Sequence, residues 1–538
     1  MAAGGAAEGA VRWATETVPG PDGLVCSVDR LASESGTAVL RAGGNAVDAA
    51  IATSAALTVT TPHMCGMGGD LMALVAGPGT GSAEPLVLNA SGRAGSGADP
   101  DRLRAEGHRT MPPLGDVRSA PVPGCVDGWL ELHGRLGRLP IADVLAPAIE
   151  LAEDGFPTSP MLAFMLPKLA GVTGCDELVA SGVGSGDHLR RPGPARMLRA
   201  IAAEGRGGFY GGEFGERLLE VGAGEYEPED LARTSADWVA ALGLDVWGHR
   251  VWTVPPNSAG VLALAGAGIA ERAGLGADPD DAAWAHLTVE AARLAGLDRA
   301  RRLFDGADGP ELLDPDRLAA RAAMVDPRRT VLREDRYAGG GTIYLCASDR
   351  DGMGVSLIQS NAKEFGCHVA VPGTGVLLHN RGIGFSLEPG HPAEYRPGRR
   401  PPHTLAPTVV TRPDGSLRAL LGTMGGDSQT QLVLQLLARL LVAGQDPAEV
   451  IGAPRWVLGA DDGTGFNLWE RPAGHRVRIE RDAPASWRPG LEERGHSVET
   501  VRPDPAAFGH AHLIDFPADG PPRGAADARS LIGAALAV

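Results

Sequence analysis

The stretch Tyr337-Ala338-Gly339-Gly340-Gly341-Thr342-Ile343-Tyr344-Leu345-Cys346-Ala347 joins a glycine-rich connection to an apolar run that opens on a hydroxyl residue. Glycine leaves the chain before Thr342 with little conformational bias, while the run after it has the β-branched and aromatic content of a buried strand. A turn at Asp349-Arg350-Asp351-Gly352 and a second apolar run, Val355-Ser356-Leu357-Ile358-Gln359, complete a strand-turn-strand signal. A threonine unmasked as a new chain end would carry nucleophile and base together, because its α-amine, with a pKa near ~8, can accept its own hydroxyl proton. The Gly-Thr pair alone is a weak signal, since such dipeptides are usually plain strand starts.

Upstream, residues from about 305 to 341 are rich in Gly, Asp and Arg and are expected to form a flexible connection. From Val126 to Arg321 the pattern is mostly helical, with amphipathic stretches at Trp129 to Leu136, Ile141 to Glu153 and Ala282 to Phe304. Nearer the start, Leu31 to Leu40 is expected to form a helix stopped by Gly43-Gly44, and Asn45 to cap the next helix. Leu71 to Val75 and Pro85 to Leu88 look like a buried hairpin. Downstream, Thr408 to Thr411 and Leu417 to Leu421 form a second one, followed by a helix from Gln429 to Ala443. Together these elements suggest layered α/β architecture.

Composition narrows the partners. With 49 basic against 66 acidic residues the net charge is −17, which disfavours a phosphate backbone as a ligand, so nucleic acid is not expected. Cys26, Cys65, Cys125, Cys175, Cys346 and Cys367 show no metal-site spacing and are expected to be free thiols, and no metal or other cofactor is expected. The first residues, Met1 to Thr17, lack a basic start followed by an apolar core, and no uncharged apolar run reaches spanning length. The expectation is a cytoplasmic protein with no membrane partner.

Ordered motifs run along nearly the whole chain: Leu31-Ala32-Ser33-Glu34-Ser35-Gly36, Ala42-Gly43-Gly44-Asn45-Ala46-Val47-Asp48-Ala49-Ala50, Gly66-Met67-Gly68-Gly69-Asp70, Leu145-Ala146-Pro147-Ala148-Ile149, Val371-Pro372-Gly373-Thr374-Gly375, Arg400-Pro401 and Gly425-Gly426-Asp427. With these the sequence resembles the γ-glutamyltransferase family of N-terminal-nucleophile hydrolases. The resemblance implies a four-layer αββα sandwich, of the α/β (α+β) class, made as one precursor. The precursor is cut between Gly341 and Thr342 into a large subunit, residues 1–341, and a small catalytic subunit, residues 342–538.

By the same resemblance Thr342 is the nucleophile, Ser360 its supporting hydroxyl, and Gly425 and Gly426 the oxyanion-hole glycines. Arg93 is the carboxylate grip, and Asn361, His403 and Thr404 line the substrate site. The segment Gly66 to Asp70 lacks the Lys-Ser/Thr ending of a phosphate loop and is assigned to packing.

Departures from the family pattern bear on the substrate. Where γ-glutamyl enzymes hold an α-ammonium with an acid, this sequence reads His379-Asn380-Arg381-Gly382-Ile383-Gly384-Phe385-Ser386, with Gly384 at the acid's place and Arg381 at a glutamine's. A buried ammonium without a partner is costly. If Arg93 and Arg381 both face the pocket, the acyl group should bear carboxylate or oxo oxygens, as in oxalyl, dicarboxyl or keto-acid derivatives cleaved at a C–N or C–C bond. The expected partner is thus a small-molecule amide or acyl substrate, and homo-oligomer formation is left open.

Two other classes compete with this one. A non-catalytic binding protein on the same fold would fail to cleave itself. A cysteine hydrolase using Cys346 or Cys367 would survive loss of Thr342.

Overall fold

In the computed structural model, which describes residues 15–179, 182–331, 341–459, 476–501 and 508–538, the run after Gly341 is a strand buried on both faces. Ile343, Leu345 and Ala347 enter one apolar cluster, and Tyr344 and Cys346 enter another. Side chains alternate along a strand, so apolar contact on both faces places this one in the middle of a layered fold. That position explains why Ile-Tyr-Leu-Cys-Ala is continuously apolar.

The strands of the two main sheets, in chain order, are β1 (Val18–Pro19), β2 (Gly23–Ser27), β3 (Asp70–Ala76), β4 (Leu86–Ala90), β5 (Asp237–Val239), β6 (Leu242–Val246), β7 (His249–Thr253), β8 (Ile343–Asp349), β9 (Gly354–Ser360), β10 (Thr408–Thr411), β11 (Leu417–Thr423), β12 (Ala511–Asp515), β13 (Arg523–Ala526) and β14 (Ala534–Ala537). One seven-stranded sheet has the order β1-β13-β12-β11-β10-β7-β6 and the other β14-β2-β8-β9-β3-β4-β5. Neighbours within each sheet are antiparallel. The expected hairpins β3–β4 and β10–β11 are both present.

Helices cover the outer faces. Against the second sheet lie α1 (Arg30–Arg41), α2 (Ala46–Thr60), α3 (Cys125–Leu136) and α4 (Ile141–Asp154), whose Val39, Leu57, Leu132 and Leu145 join Leu71, Ala73, Leu345 and Leu357 in one core. Asn45 caps α2 in a reciprocal box with Asp48, and the small side chains of α2 let all of it be buried. Against the first sheet lie α5 (Gly260–Arg272), α6 (Ala282–Gly296) and α7 (Gln429–Leu441), joining Val251, Val410, Leu421 and Leu513. Leu24, Met72, Trp252, Tyr344, Ile358, Leu420 and Ile514 fill the space between the sheets. The architecture is therefore a four-layer αββα sandwich.

Several expectations change. The mostly helical stretch from Val126 to Arg321 contains β5, β6 and β7. The helix expected from Ala282 to Phe304 stops at Gly296 and resumes as Arg299–Arg302. Part of the connection expected from 305 to 341 is helical, at Gly309–Leu312 and Pro315–Ala322, with Leu318 in the core, while residues 332–340 lie outside the described residues. Among the described residues no helix is long and apolar enough to cross a membrane.

One topological fact matters for the site. Strand β8 lies between β2 and β9, and β9 lies against β3, so strands from before and after Gly341 interleave in one sheet. Cutting the chain at that point would leave the sheet hydrogen bonds in place.

Candidate active site

Thr342 sits at the leading edge of β8 and is fully buried. Ile343 stands opposite Gln359, which brings Thr342 beside Ser360, the last residue of β9. Thr342 Oγ1 and Ser360 Oγ meet at 3.0 Å, and each also reaches the carbonyl oxygen of Gly341, at 2.7 and 2.9 Å. Two hydroxyls therefore converge on the peptide carbonyl that precedes Thr342. Ser360 Oγ in turn accepts the backbone N–H of Ala362 at 2.7 Å, which orients its lone pairs. Ala362 adopts φ +72° to do so, a left-handed conformation that costs a non-glycine residue about 1–2 kcal/mol.

The segment Gly66 to Asp70 is pressed against this pair. A Cβ on Gly69 would stand 2.4 Å from the Ser360 carbonyl oxygen, and one on Gly68 would stand 2.2 Å from that of Leu377. Only glycine allows such approach, so the packing role assigned from the sequence holds for both. For Asp70 that assignment is incomplete. Asp70 stands opposite Ser360 on β3, and its Oδ2 accepts from Arg381 Nε at 2.9 Å, His403 Nε2 at 2.8 Å and His379 Nδ1 at 3.3 Å. Burial would raise the Asp70 pKa, but the Arg381 guanidinium and then His403 hold it well below the usual carboxylate range. Burial, followed by the charge of Arg381, pushes His403 down to about 4.

These contacts revise the expected pocket. Arg381 is buried, with Nε on Asp70 and Nη1 donating to Thr404 Oγ1 at 3.1 Å, so its charge is matched within the fold. His403 Nδ1 accepts the Leu405 N–H at 3.2 Å, leaving the Nε2 proton for Asp70. His403 is thus a satisfied histidine. Arg93 lies apart from this group, 38% exposed at its side chain, donating to Asp237 Oδ2 at 2.5 Å and to the Gly398 carbonyl at 3.1 Å. Asp237 also takes Arg400 Nη2 at 2.5 Å. The structure brings Arg381, His403 and Thr404 together around Asp70 and leaves Arg93 on a separate acid. Asn361 is buried beside Gly66 and Gly69, with its Nδ2 donating to the Pro62 carbonyl at 3.2 Å.

Gly425 and Gly426 follow β11, at φ +135° and +56°, and lead through a short 3₁₀ turn into α7. Among the described residues neither of their N–H groups has an acceptor within the chain. Gly422 lies against the ring of Tyr344, and Gly354, at the far end of the β8–β9 pair, lies against Leu417. The C-terminal end of β11 therefore overlies the N-terminal end of β8, with the two glycines on the side of the sandwich where Thr342 begins its strand. His510 is tied to this loop by its carbonyl, which accepts the Met424 N–H at 3.1 Å. The His63 backbone carbonyl lies near Gly341, and burial and then His510 push the His63 pKa down to about 3.

All six cysteines are free and buried. Burial raises the Cys367 thiol to about 12, far from a reactive thiolate. Among the described residues one group has the spacing for a metal ion, His286 and Glu290 on α6 with His496. Its hydrogen bonds close without one. Arg293 Nη1 donates to His496 Nδ1 at 2.8 Å, and a guanidinium has no lone pair, so that nitrogen is bare and the proton is on Nε2. That proton goes to His286 Nδ1 at 2.7 Å, and His286 Nε2 donates to the Asp326 carbonyl at 2.8 Å. Every ring nitrogen is used, so these residues do not fit a metal.

Comparison with known proteins completes the description. The family model described as Gamma-glutamyltranspeptidase matches residues 32–537. The oxamate amidohydrolase proenzyme of Klebsiella pneumoniae subsp. pneumoniae is 35% identical over 529 residues, covering 94% of this chain and 97% of that protein. The glutathione hydrolase-like YwrD proenzyme of Bacillus subtilis is 34% identical over 543 residues, covering 97% and 100%. Among solved structures, cephalosporin acylase from Bacillus halodurans superposes with a TM-score of 0.88 at 32% identity, covering 100% of this chain and 99% of that one.

Proposed function

The chain belongs to the gamma-glutamyltranspeptidase family of hydrolases and acyltransferases, and on that premise we propose that it is a precursor that cleaves itself between Gly341 and Thr342 and then hydrolyses a small amide through an ester on Thr342. The observation that carries this reading is the convergence of Thr342 Oγ1 and Ser360 Oγ on the Gly341 carbonyl oxygen. Attack of the Thr342 hydroxyl on that carbonyl carbon breaks the Gly341–Thr342 C–N bond and forms an ester. Ser360 donates to the oxygen that becomes negative. Water then splits the ester, leaving a carboxylate on Gly341 and a free α-amine on Thr342.

In the mature site the α-amine takes the Thr342 hydroxyl proton as Oγ1 attacks the substrate carbonyl. The Gly425 and Gly426 N–H groups meet the developing oxyanion, the proton passes to the departing amine, and water releases the acid. Residues 1–341 and 342–538 would remain together as large and small subunits through the interleaved sheet.

The acyl group is proposed to bear carboxylate or oxo oxygens and to lack an α-ammonium. Gly384 offers no acid to such an ammonium, and Arg93, half-exposed and bonded to Asp237 and the Gly398 carbonyl, is the guanidinium proposed to receive a carboxylate. The likeness to an oxamate amidohydrolase supports this class. Intact mass of the purified protein tests the processing step: two fragments meeting at Gly341 and Thr342 are expected, and one unbroken active chain would refute it. Faster hydrolysis of γ-glutamyl-p-nitroanilide than of oxamate would refute the substrate class.

A further inference from the structure

Thr342, Ser360 and Asp70 form one row across three adjacent strands. Ser360 is opposite Asp70 on one side and bonded to Thr342 on the other. Strands lie roughly 4.8 Å apart, so the Asp70 backbone is about 10 Å from that of the nucleophile, with only the small Ser360 side chain between. The row therefore runs from the Thr342 hydroxyl through Ser360 to Asp70.

That carboxylate is unevenly used. Oδ2 takes three donors, from Arg381, His403 and His379, while Oδ1 is buried and accepts no hydrogen bond from the described residues. A carboxylate oxygen has two lone-pair sites, and a buried acceptor left empty is destabilising. The His403 tautomer is locked by the Leu405 N–H, while Arg381 Nε and Nη1 are committed to Asp70 Oδ2 and Thr404.

We propose that Asp70 Oδ1 is a specificity-determining acceptor, receiving a hydrogen bond from a neutral O–H or N–H on the acyl group, within two or three bonds of the carbonyl attacked by Thr342. This rests on the threonine-hydrolase reading and adds to it the chemistry of the acyl group's far side. Arg381, which already offsets the charge of Asp70, would repel an ammonium here, and a carboxylate on the same acyl group has to lie away from Oδ1, which would repel it. A hydroxyl or carboxamide suits both. Acyl groups of the hydroxyacyl or oxamoyl type fit this acceptor.

The test compares glycoloyl-p-nitroanilide with its O-methyl analogue, methoxyacetyl-p-nitroanilide, using wild-type protein already shown by intact mass to have cleaved itself and shown to lose turnover when Thr342 is replaced by Ala. That control separates failure of the hydrolase reading from failure of this proposal. A preference for the hydroxyl substrate of at least about tenfold in kcat/KM is expected. Equal rates, preference for the methyl ether, or no turnover of either would overturn it. Asp70→Asn can keep an oxygen toward Arg381 while presenting an N–H where the acceptor was, so the variant should lose or reverse the preference. An equal fall for both substrates would mark Asp70 as structural only and overturn the proposal.

Discussion

Ser360 Oγ stands 3.0 Å from Thr342 Oγ1 and 2.9 Å from the Gly341 carbonyl oxygen, so one hydroxyl touches both the proposed nucleophile and the peptide it would cleave. Replacing Ser360 by Ala removes the donor to the developing oxyanion. Loss of one such donor typically slows a step by about 10²–10³-fold. Self-cleavage, followed as conversion of the full chain to two bands over time, should slow by that order in Ser360→Ala. It should be largely retained in Ser360→Thr, which keeps the hydroxyl. Thr342→Ala should remain one chain indefinitely.

Much of this site can be read from local sequence, and the reasons for the exceptions are physical. The strand after Gly341, its hairpin partner and the Asn45 cap follow from periodicity and turn chemistry within a few residues. The Asp70 cluster does not, because its partners are 309, 311 and 333 residues away along the chain. A glycine-rich segment ending in an acid gives no local sign of the cations it will meet. Strands β5 and β6 are not legible in the sequence because they are short edge strands with several half-exposed positions, which blurs both alternation and apolar content. Arg93 and Arg381 were legible as cations, while the acids that neutralise them were not.

Cys367 provides a check on the alternative nucleophile. Its thiol is fully buried, donates to the Leu378 carbonyl at 3.4 Å, and is raised by burial to about 12. Cys367→Ala should leave self-cleavage and turnover within about twofold of wild type, at a stability cost of about 1 kcal/mol for the lost packing. Abolished turnover in a folded Cys367→Ala protein would point to the thiol instead.

Stability should fall with acid above the carboxylate range. Burial holds His63, His403 and His512 neutral in the fold, at about 3, 4 and 3, against about 6.5 in the unfolded chain. Between pH 6.5 and 4 the unfolded state therefore binds more protons, and each histidine removes stability as pH falls, by up to about 1.4 kcal/mol per unit. Together they should cost roughly 3–4 kcal/mol between pH 7 and 5.5. The depressed Asp70 acts in the same direction at lower pH, its contribution being lost as pH falls through its folded value. Denaturant titrations at several pH values would measure the slope. His512→Phe, which preserves a ring against Tyr344, should reduce it by about one proton.

Ala362 offers a stabilising change. Its left-handed backbone directs its N–H to Ser360 Oγ, so the strain is tied to the orientation of a site hydroxyl. Ala362→Gly removes the Cβ penalty while adding freedom to the unfolded chain, for a net gain of about 0.5–1 kcal/mol. A higher denaturation midpoint with unchanged self-cleavage is the expected result, and a lower midpoint would mean that the Cβ packing outweighs the strain.

On the proposed mechanism, substitutions at Gly425 and Gly426 should separate the two reactions. In the unbroken chain the Gly341 carbonyl oxygen is already served by Ser360 and Thr342, and among the described residues it takes no hydrogen bond from either glycine. The first reaction therefore depends on the hydroxyl pair, whereas the oxyanion formed on a bound substrate is assigned to the glycine N–H groups. At Gly425 any side chain is strained by φ +135° and would meet Ser428 Oγ at 2.6 Å, so Gly425→Ala should displace the loop. Gly426→Ala is the milder change, at φ +56°. Both variants should still yield two fragments, with Gly425→Ala losing about 10²–10³-fold in kcat and Gly426→Ala less. A variant that stays a single chain would show instead that the same glycines serve the Gly341 carbonyl, and that one oxyanion site performs both steps.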